Sequence, residues 1–539
     1  MSVDAKSPAK GASGAGTIGS DALAGFLVFL IALPLCLGIA MASGFPPVAG
    51  VITAIVGGIL GRFLGSARLT IKGPAAGLIV IAIGAVTELG GGDMTLGYRR
   101  ALAVGVVAAV VQVIFAVTRV AKLGTMAPPS VVHGMLAAIG VIIFAKQAHI
   151  VMGVTPHARE PLALLGEIPW SLLRDNPEVL IIGVTSLVIL FGWPLLGQRV
   201  KPLAKVPAPL LVLVVAIPLG LAFHMDAEHD YAMFGHRYHL GPQFLLTLPA
   251  NITDAIVFPD FSVVTSAASI KYIVMFALVG TLESVLSVLA VDSLDPAKRA
   301  SNLDRDLLVV AVGNLIAASL GGLPMISEIV RSKANIDNGA KSAWSNFFHG
   351  LFLLVFVATI PGLLHYIPLA ALAAMLVFTG TRLASPREVA HAKALGLDQL
   401  VLFLTTLVVT LAVDLLVGIA TGIVLKVLIH AVRAKGIVPL FTTRFESERR
   451  GDTLTVKAHG PATFLALLKV GKALAPASNA DVEKVVLDLR GASIVDHTFL
   501  ERVHGMAQEW PKAELSLVGM DAHAAASSHP HAARRLAGA

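Results

Sequence analysis

Four ionisable residues stand inside or beside long apolar runs, where a charged side chain costs about 2.5–3.5 kcal/mol at the bilayer centre on insertion scales. Glu283 lies in the run VGTLESVLSV, far from either flank. Glu328 and Arg331 lie three residues apart in SEIVRS, and Lys72 directly precedes Gly73 and Pro74. A glutamate in an apolar helix is either tied to neighbouring backbone by hydrogen bonds or serves as a handle for a proton or a sodium ion. Ser287, one turn after Glu283, shares its face. Glu328 and Arg331 at this spacing can form a structural ion pair, or the guanidinium can meet an oxyanion bidentately. Lys72 fits either a loop lysine or a further charge at the same site.

These residues need elements that bring them together. A Gly/Pro break, IKGP at Ile71–Pro74, precedes a short apolar stretch at about 75–88, and another, GGLP at Gly321–Pro324, precedes one at about 327–338. The two stretches fall at matching distances from the starts of two halves, near residues 21 and 272. Paired interrupted segments of this kind point to an inverted-repeat transporter. Each half then enters the membrane as extended chain and starts a half-helix near the midplane. The two N-termini face one another, each with a partial charge of about +0.5, which suits an anion. Gly73, Pro74, Ala75, Ser327, Glu328 and Arg331 are the expected substrate-binding residues, and Glu283 and Ser287 the expected coupling-ion residues. The alternative is that Gly and Pro only kink two helices for packing.

Of the 539 residues, 56% are hydrophobic and 14% charged, with a mean hydropathy of +0.80. Soluble domains carry nearer a quarter charged residues, so this composition indicates a polytopic membrane protein in a lipid bilayer. The one cysteine, Cys36, excludes a disulfide scaffold and any Cys-ligated zinc or iron–sulfur centre. The net charge of +7 is scattered between apolar runs, so no nucleic acid partner is expected. No metal-ligand cluster, nucleophile elbow or P-loop appears, so no enzymatic activity and no cofactor are expected, beyond H+ or Na+ as a coupling ion. Residues 1–20 read as a disordered tail rather than a signal peptide. Spanning runs follow at about 21–43, 47–65, 101–118, 130–146, 179–197, 207–223, 272–291, 307–320, 344–364, 367–380 and 399–432, the last divided near Asp414. With the two short stretches they make fourteen segments. Basic loops at Arg62/Arg68, Arg119/Lys122, Arg199/Lys201/Lys205, Lys298/Arg299/Arg305, Arg382/Arg387/Lys393 and Arg433/Lys435 then share one side, which is the cytoplasm if the N-terminus is cytoplasmic. Both termini are expected there.

After Lys435 the composition turns soluble. Leu454–Ala458 alternates like a strand, 462–474 reads as helix, Val482–Leu489 as a buried strand, 498–510 as helix and Glu514–Gly519 as another strand. Strand–helix alternation predicts a small α/β domain. The expected organisation is a transmembrane domain over 21–435, the α/β domain over 436–521, and a His-rich disordered tail over 522–539. That tail offers no fixed geometry for a metal.

Several blocks resemble a known family. DALAG at Asp21–Gly25, ALPLCLGIA at Ala32–Ala40 and LGSARLTIKGPA at Leu64–Ala75 are similar to the first three helices of the SulP (sulfate permease) anion transporters. AVDS at Ala290–Ser293, Gly313 with Asn314, Gly321 with Gly322, VRS at Val330–Ser332 and NGAK at Asn338–Lys341 resemble that family's helix 8–10 region. The resemblance implies an all-α membrane domain with a seven-plus-seven inverted repeat, core and gate domains, two half-helices, and a C-terminal cytoplasmic STAS domain. It also implies a homodimer in the cytoplasmic membrane and a small anion substrate, such as bicarbonate, sulfate, chloride, oxalate or a dicarboxylate. By position, Arg331 matches the family's helix-10 arginine beside the anion, and Glu283 its helix-8 acidic coupling position. Leu35 stands where many members have a glutamine, and Glu328 is unusual beside an anion. The apolar helix-1 pattern is shared with bicarbonate-transporting bacterial members. IVDHT at Ile494–Thr498 stands where STAS domains carry Asp-Ser-Ser/Thr-Gly, with His497 and Phe499 replacing Ser and Gly. Thr498 is then a regulatory phosphoacceptor candidate, or Asp496 or Thr498 simply caps a helix. A nucleobase–proton symporter of the same architecture and an uncoupled anion channel remain alternatives.

Overall fold

The computed structural model describes residues 15–536 except 120, 125, 159, 201–205, 234, 249–251, 298, 480, 509 and 511. Residues 1–14 of the expected tail, and Lys201, Lys205 and Lys298, lie outside the described residues. The first half contains α1 (Ala15–Ala42), α2 (Pro47–Leu64), β1 (Ile71–Pro74), α3 (Ile79–Gly90), α4 (Met94–Val117), α5 (Ala121–Gly124), α6 (Pro129–Val151), α7 (Pro161–Leu172), α8 (Pro177–Arg199) and α9 (Ala208–Ala222). A hairpin of β2 (His229–Met233) and β3 (His236–Leu240) follows. The second half contains α10 (Ala267–Leu294), α11 (Leu303–Ser319), β4 (Met325–Glu328), α12 (Ile329–Asp337), α13 (Trp344–Thr359), α14 (Pro361–Leu364), α15 (Leu369–Leu383), α16 (Pro386–Leu395), α17 (Leu397–Ala412) and α18 (Leu415–Arg433).

Local chemistry sets many of the boundaries. Asp93, Asn176, Ser266, Asn302 and Asp414 cap α4, α8, α10, α11 and α18 with their side chains. Proline opens α2, α6 and α8, where its missing N–H has no intrahelical partner to lose. Gly65 closes α2 in the left-handed conformation at φ 80°. Eight helical stretches are long and apolar enough to cross a membrane, and the α3 stretch, α9, α13 and α17 are shorter apolar helices. With α11 and α12 these make the fourteen expected segments among the described residues.

Contacts between elements are reciprocal across the two halves. α2 packs on α13 and α4 on α11; α1 packs on α12 and α10 on α3; α8 packs on α15 and α6 on α17. Each pair is what a two-fold exchange of the halves requires, with α6 against α15 and α2 against α11 on the axis. One body comprises α1–α4 with α10–α13, and a second comprises α6, α8, α9, α15, α17 and α18. Within the first, α2 and α13 meet backbone to backbone at Gly58 and Gly350; within the second, α6 and α15 do so at Gly140 and Gly380. Small residues permit this closeness, which is what drives helix association in lipid.

The C-terminal part holds α19 (Val438–Thr442), β5 (Arg444–Arg450), β6 (Thr453–His459), α20 (Leu467–Leu474), β7 (Lys484–Asp488), β8 (Ile494–Val495), α21 (His497–Gln508), β9 (Glu514–Val518), β10 (His523–Ala525) and β11 (Arg534–Leu536). The main sheet has the order β5-β6-β7-β9, antiparallel at its β5 edge and parallel elsewhere. Leu454, Val456, Leu467, Val485, Leu487, Phe499 and Val503 form its core.

Two expectations are corrected. α1 starts at Ala15, inside the expected tail, because Asp21 is no helix start. Its buried carboxylate accepts the backbone N–H groups of Lys341 and Ser342 at 2.7 and 3.1 Å and the Ser342 hydroxyl at 2.5 Å, which anchors the helix beyond its first apolar turn. The stretch from 523 to 536 is also not a disordered tail. β10 pairs with β11 and β11 with β8, Ala532 and Ala533 are buried, and the His523 ring bridges Gly519 O at 2.8 Å and Ala492 O at 2.7 Å. Alanines fill the small space there, so a low-hydropathy segment still folds. α7 and the β2–β3 hairpin were not anticipated.

The α/β domain is fastened to α18 by buried charge. Lys426 Nζ lies 3.1 Å from Asp496 Oδ2 and donates to Thr498 Oγ1 at 2.5 Å, while His430 Nε2 lies 3.4 Å from Asp496 Oδ1. Asp496 also accepts the Phe464 N–H at 3.3 Å. Its carboxylate therefore bridges domains rather than capping α21, and Thr498 is covered rather than presented as a phosphoacceptor. Burial alone would raise the Asp496 carboxyl, but Lys426 and His430 hold it well below the usual carboxylate range. A depressed folded value contributes stability above the ordinary aspartate pKa of about 3.9, and that stability is lost as pH falls through the folded value. Docking should therefore hold from neutral pH down to below pH ~4. Lys426→Met strands Asp496 and should cost about 3–5 kcal/mol, read as faster proteolysis of the 434–443 linker, whereas Lys426→Met with Asp496→Asn should recover much of the protection.

Candidate functional site

The site begins with the pairing of β1 and β4. They run antiparallel, with Ile71 opposite Glu328, Lys72 opposite Ser327, Gly73 opposite Ile326 and Pro74 opposite Met325. β1 feeds a 3-10 turn at Ala76–Leu78 and then α3, and β4 feeds α12 directly. Because the strands are antiparallel, the two helices leave the crossing in opposite directions with their N-termini at its centre. The expected pair of half-helices is present.

Extended backbone at this depth needs side-chain partners. Asn314 accepts the Met325 N–H at 2.6 Å and donates to Met325 O at 3.1 Å, and its amide also reaches Gln112. Thr53 donates to Leu323 O and Tyr98 to Gly321 O. Asn346 accepts the Lys72 N–H, and the Ser332 hydroxyl accepts the Ile71 N–H while donating to Glu328 O.

A cavity of about 1470 Å³ runs from this crossing to the α/β domain, between the two bodies. Its inner end is lined by Leu35, Ala76, Gly77, Glu283, Glu328 and Arg331, with Ser287 further along α10 and Met375, Leu376 and Thr379 from α15 opposite. Arg331, in the first turn of α12, is fully buried. Its Nη1 lies 3.5 Å from Cys36 Sγ and its Nη2 3.5 Å from Pro74 O, and its Nε has no partner among the described residues. Any side chain on Gly73 would overlap this guanidinium, and any side chain on Gly77 would overlap the Glu283 carboxylate. Among the described residues, both Glu283 oxygens and Glu328 Oε1 lack hydrogen-bond partners. Glu283 is thus not tied to the second half-helix, and Glu328 and Arg331 do not spend themselves on one another.

The match to known proteins follows this geometry. The pattern of the sulfate permease family covers residues 18–406. The chain belongs to the sulfate permease family. The family and the relatives named here are transporters, not enzymes. The putative sulfate transporter YvdB of Bacillus subtilis is 29% identical over 374 residues, which is 69% of this chain and 66% of YvdB. The bicarbonate transporter BicA of Picosynechococcus is 24% identical over 66% of this chain and 60% of its own length. The matched stretch thus spans less than two thirds of both relatives. In structure, the transmembrane domain of a cyanobacterial BicA superposes with a TM-score of 0.61 at 21% identity, over 76% of this chain and 97% of that one. Murine Slc26a9 in the inward-facing state gives 0.64 at 14% identity, over 94% and 86%.

The structure brings Glu283, Ser287, Glu328 and Arg331 to one cavity. Gly73, Pro74 and Ala75 do not line it; Gly73 leaves room for the Arg331 guanidinium, and Pro74 O lies 3.5 Å from its Nη2. Ser327 is corrected: it is fully buried and faces away, its hydroxyl held between Lys72 and Asp306. Lys72 is no loop lysine, being fully buried as well. Asp306 was missed, since it adjoins Arg305 of a basic loop and precedes the apolar run at 307–320; Ala76, Gly77 and Cys36 carry no chemical signal of their own. The free Arg331 Nε predicts the outcome of a double substitution. Glu328→Gln with Arg331→Gln should fold yet bind anion about 10–100-fold more weakly, the loss of one charged hydrogen-bonding partner, measured by anion titration of the purified protein.

Proposed function

We propose that this chain is a secondary active transporter of a small inorganic oxyanion, of the bicarbonate or sulfate class, working by alternating access. The observation that carries the reading is Arg331: a buried guanidinium beside two opposed half-helix N-termini, with Nε free, at the inner end of a cavity between two bodies. A planar guanidinium meets an oxyanion bidentately, and the helix ends add partial positive charge without adding a side chain. The sulfate and bicarbonate transporters among the relatives support the substrate class.

Coupling follows from counting charge. The cavity end holds two carboxylates, Glu283 and Glu328, and one guanidinium. With both carboxylates ionised, the cluster is net negative and repels an anion. A proton or a sodium ion on Glu283 makes it neutral, so cation loading favours anion loading and the two move together. Ser287 adds an oxygen one turn along the same helix. The α1–α4/α10–α13 body then carries the site past the α6/α15 body, whose Met375, Leu376 and Thr379 face it. Two carboxylates at these positions also suit a nucleobase–proton symporter, and a dicarboxylate is a further candidate substrate; the same experiment separates both. In an uncoupled channel the unpartnered Glu283 has no role. We further propose a homodimer in the cytoplasmic membrane with both termini and the α/β domain in the cytoplasm, on the side where the basic loops gather.

Uptake into proteoliposomes should be seen with bicarbonate or sulfate, and not with uracil or fumarate, under an imposed pH or sodium gradient. Glu283→Gln keeps the shape and removes the titratable charge, so gradient-driven accumulation should drop to background while anion exchange persists. Unchanged accumulation would make Glu283 structural. A reporter fused after Pro368 should label from outside and one after Lys435 from inside; a Lys435 reporter outside would invert the topology.

A further inference from the structure

Beneath the strand crossing, outside the cavity, the Lys72 ammonium is held in a cage of oxygens. It donates to Thr70 Oγ1 at 2.7 Å, Asp306 Oδ1 at 2.6 Å and Ser327 Oγ at 2.6 Å. An ammonium has three protons, and there are three acceptors. The two hydroxyls are committed elsewhere as donors, Thr70 to Ala67 O at 3.1 Å and Ser327 to Asp306 Oδ2 at 2.7 Å, so each turns a lone pair to the nitrogen. The Ala67 N–H donates to Asp306 Oδ1 at 2.7 Å and fixes the carboxylate. Gly57 of α2 leaves room for the lysine stem. The three oxygens come from the β1 approach, α11 and β4, hence from both halves of the repeat.

We infer that Lys72 is a tethered cation: its ammonium permanently fills an oxygen-lined site between the two half-repeats that would otherwise take a free monovalent cation. One carboxylate and two hydroxyl lone pairs, with their protons already directed away, are a ligand set for a bare ion as much as for an ammonium. Hard oxygen donors of this kind suit sodium or potassium. The positive charge at the crossing is therefore built into the chain and is not drawn from solution. It is distinct from whatever ion Glu283 carries, and it does not depend on which anion is transported.

Replacing Lys72 should convert this site into an ion site. The purified full chain and its variants are melted in choline chloride and in NaCl, KCl and LiCl at equal ionic strength. With Glu283→Gln in the background, which removes the proposed coupling-ion site, the chain with Lys72 intact should melt at the same temperature in choline and in the alkali salts. Lys72→Ser should melt roughly 5 °C or more lower in choline, and one alkali ion should restore it saturably. Lys72→Met, whose thioether chain fills the same space, should be lowered and not restored. Adding Asp306→Asn to Lys72→Ser should abolish the restoration. The inference is overturned if Lys72→Ser folds but shows no cation response, or fails to fold even in high NaCl. It is likewise overturned if, in that background, the chain with Lys72 intact responds as strongly as Lys72→Ser, or if the response survives Asp306→Asn. Melting reads the cage without transport, so this result stands or falls separately from the proposed transport activity.

Discussion

A bilayer offers no water to an unpaired peptide group, so two stretches of extended chain at mid-depth must satisfy each other. The antiparallel pairing of β1 with β4 is that solution, and the rest of the membrane domain is arranged around it. The pairing can form only if two halves of opposite orientation bring their breaks to the same point. It also decides where the helix ends lie, because each strand runs straight into a helix that must begin at the crossing. The polar side chains that look misplaced in apolar helices, Thr53, Tyr98, Gln112, Asn314 and Asn346, are the partners of this irregular backbone or of one another beside it.

Two kinds of buried charge cluster stand apart in this protein. Lys72 with Asp306, and Lys426 with Asp496, are closed clusters in which each charged group meets its opposite. Such pairs contribute little net stability, since desolvation offsets attraction, but they penalise any arrangement that separates them. One therefore specifies how the two half-repeats meet, and the other where the α/β domain docks. Glu283, Glu328 and Arg331 are the second kind, charges kept open along a cavity wall at a cost to folding. They are the charges that the proposed anion and coupling ion would complete.

Much of this was legible in the sequence. Run lengths and the matched Gly/Pro breaks predict fourteen segments and the paired half-helices, because the bilayer imposes both. Glu283 and Arg331 stand out because an ionisable residue in an apolar run has few explanations. Apolar runs report depth in the membrane but not the direction a side chain faces. For that reason the sequence groups Ser327 with its neighbour Glu328 although it faces the opposite way, and leaves Lys72 ambiguous. Its partner Asp306 is far away in sequence, and no periodicity links the two. The 523–536 stretch failed for a different reason. Alanine and histidine carry little hydropathy, yet alanine packs in narrow gaps and the His523 ring bonds to two carbonyls, so a β-edge forms without an apolar pattern.

The glycine contacts have a mechanical consequence. Where Gly58 meets Gly350, and Gly140 meets Gly380, main chain lies on main chain, and no flexible side chain stands between them to absorb displacement. Each body is thereby stiff across its own middle. Between the bodies the facing surfaces are different: Leu35 and Ile39 on one side, Met375 and Leu376 on the other, all unbranched at Cβ except Ile39 and able to change rotamer. If the two bodies move as proposed, these adaptable side chains are where displacement would be taken up, and the glycine contacts are where it would not.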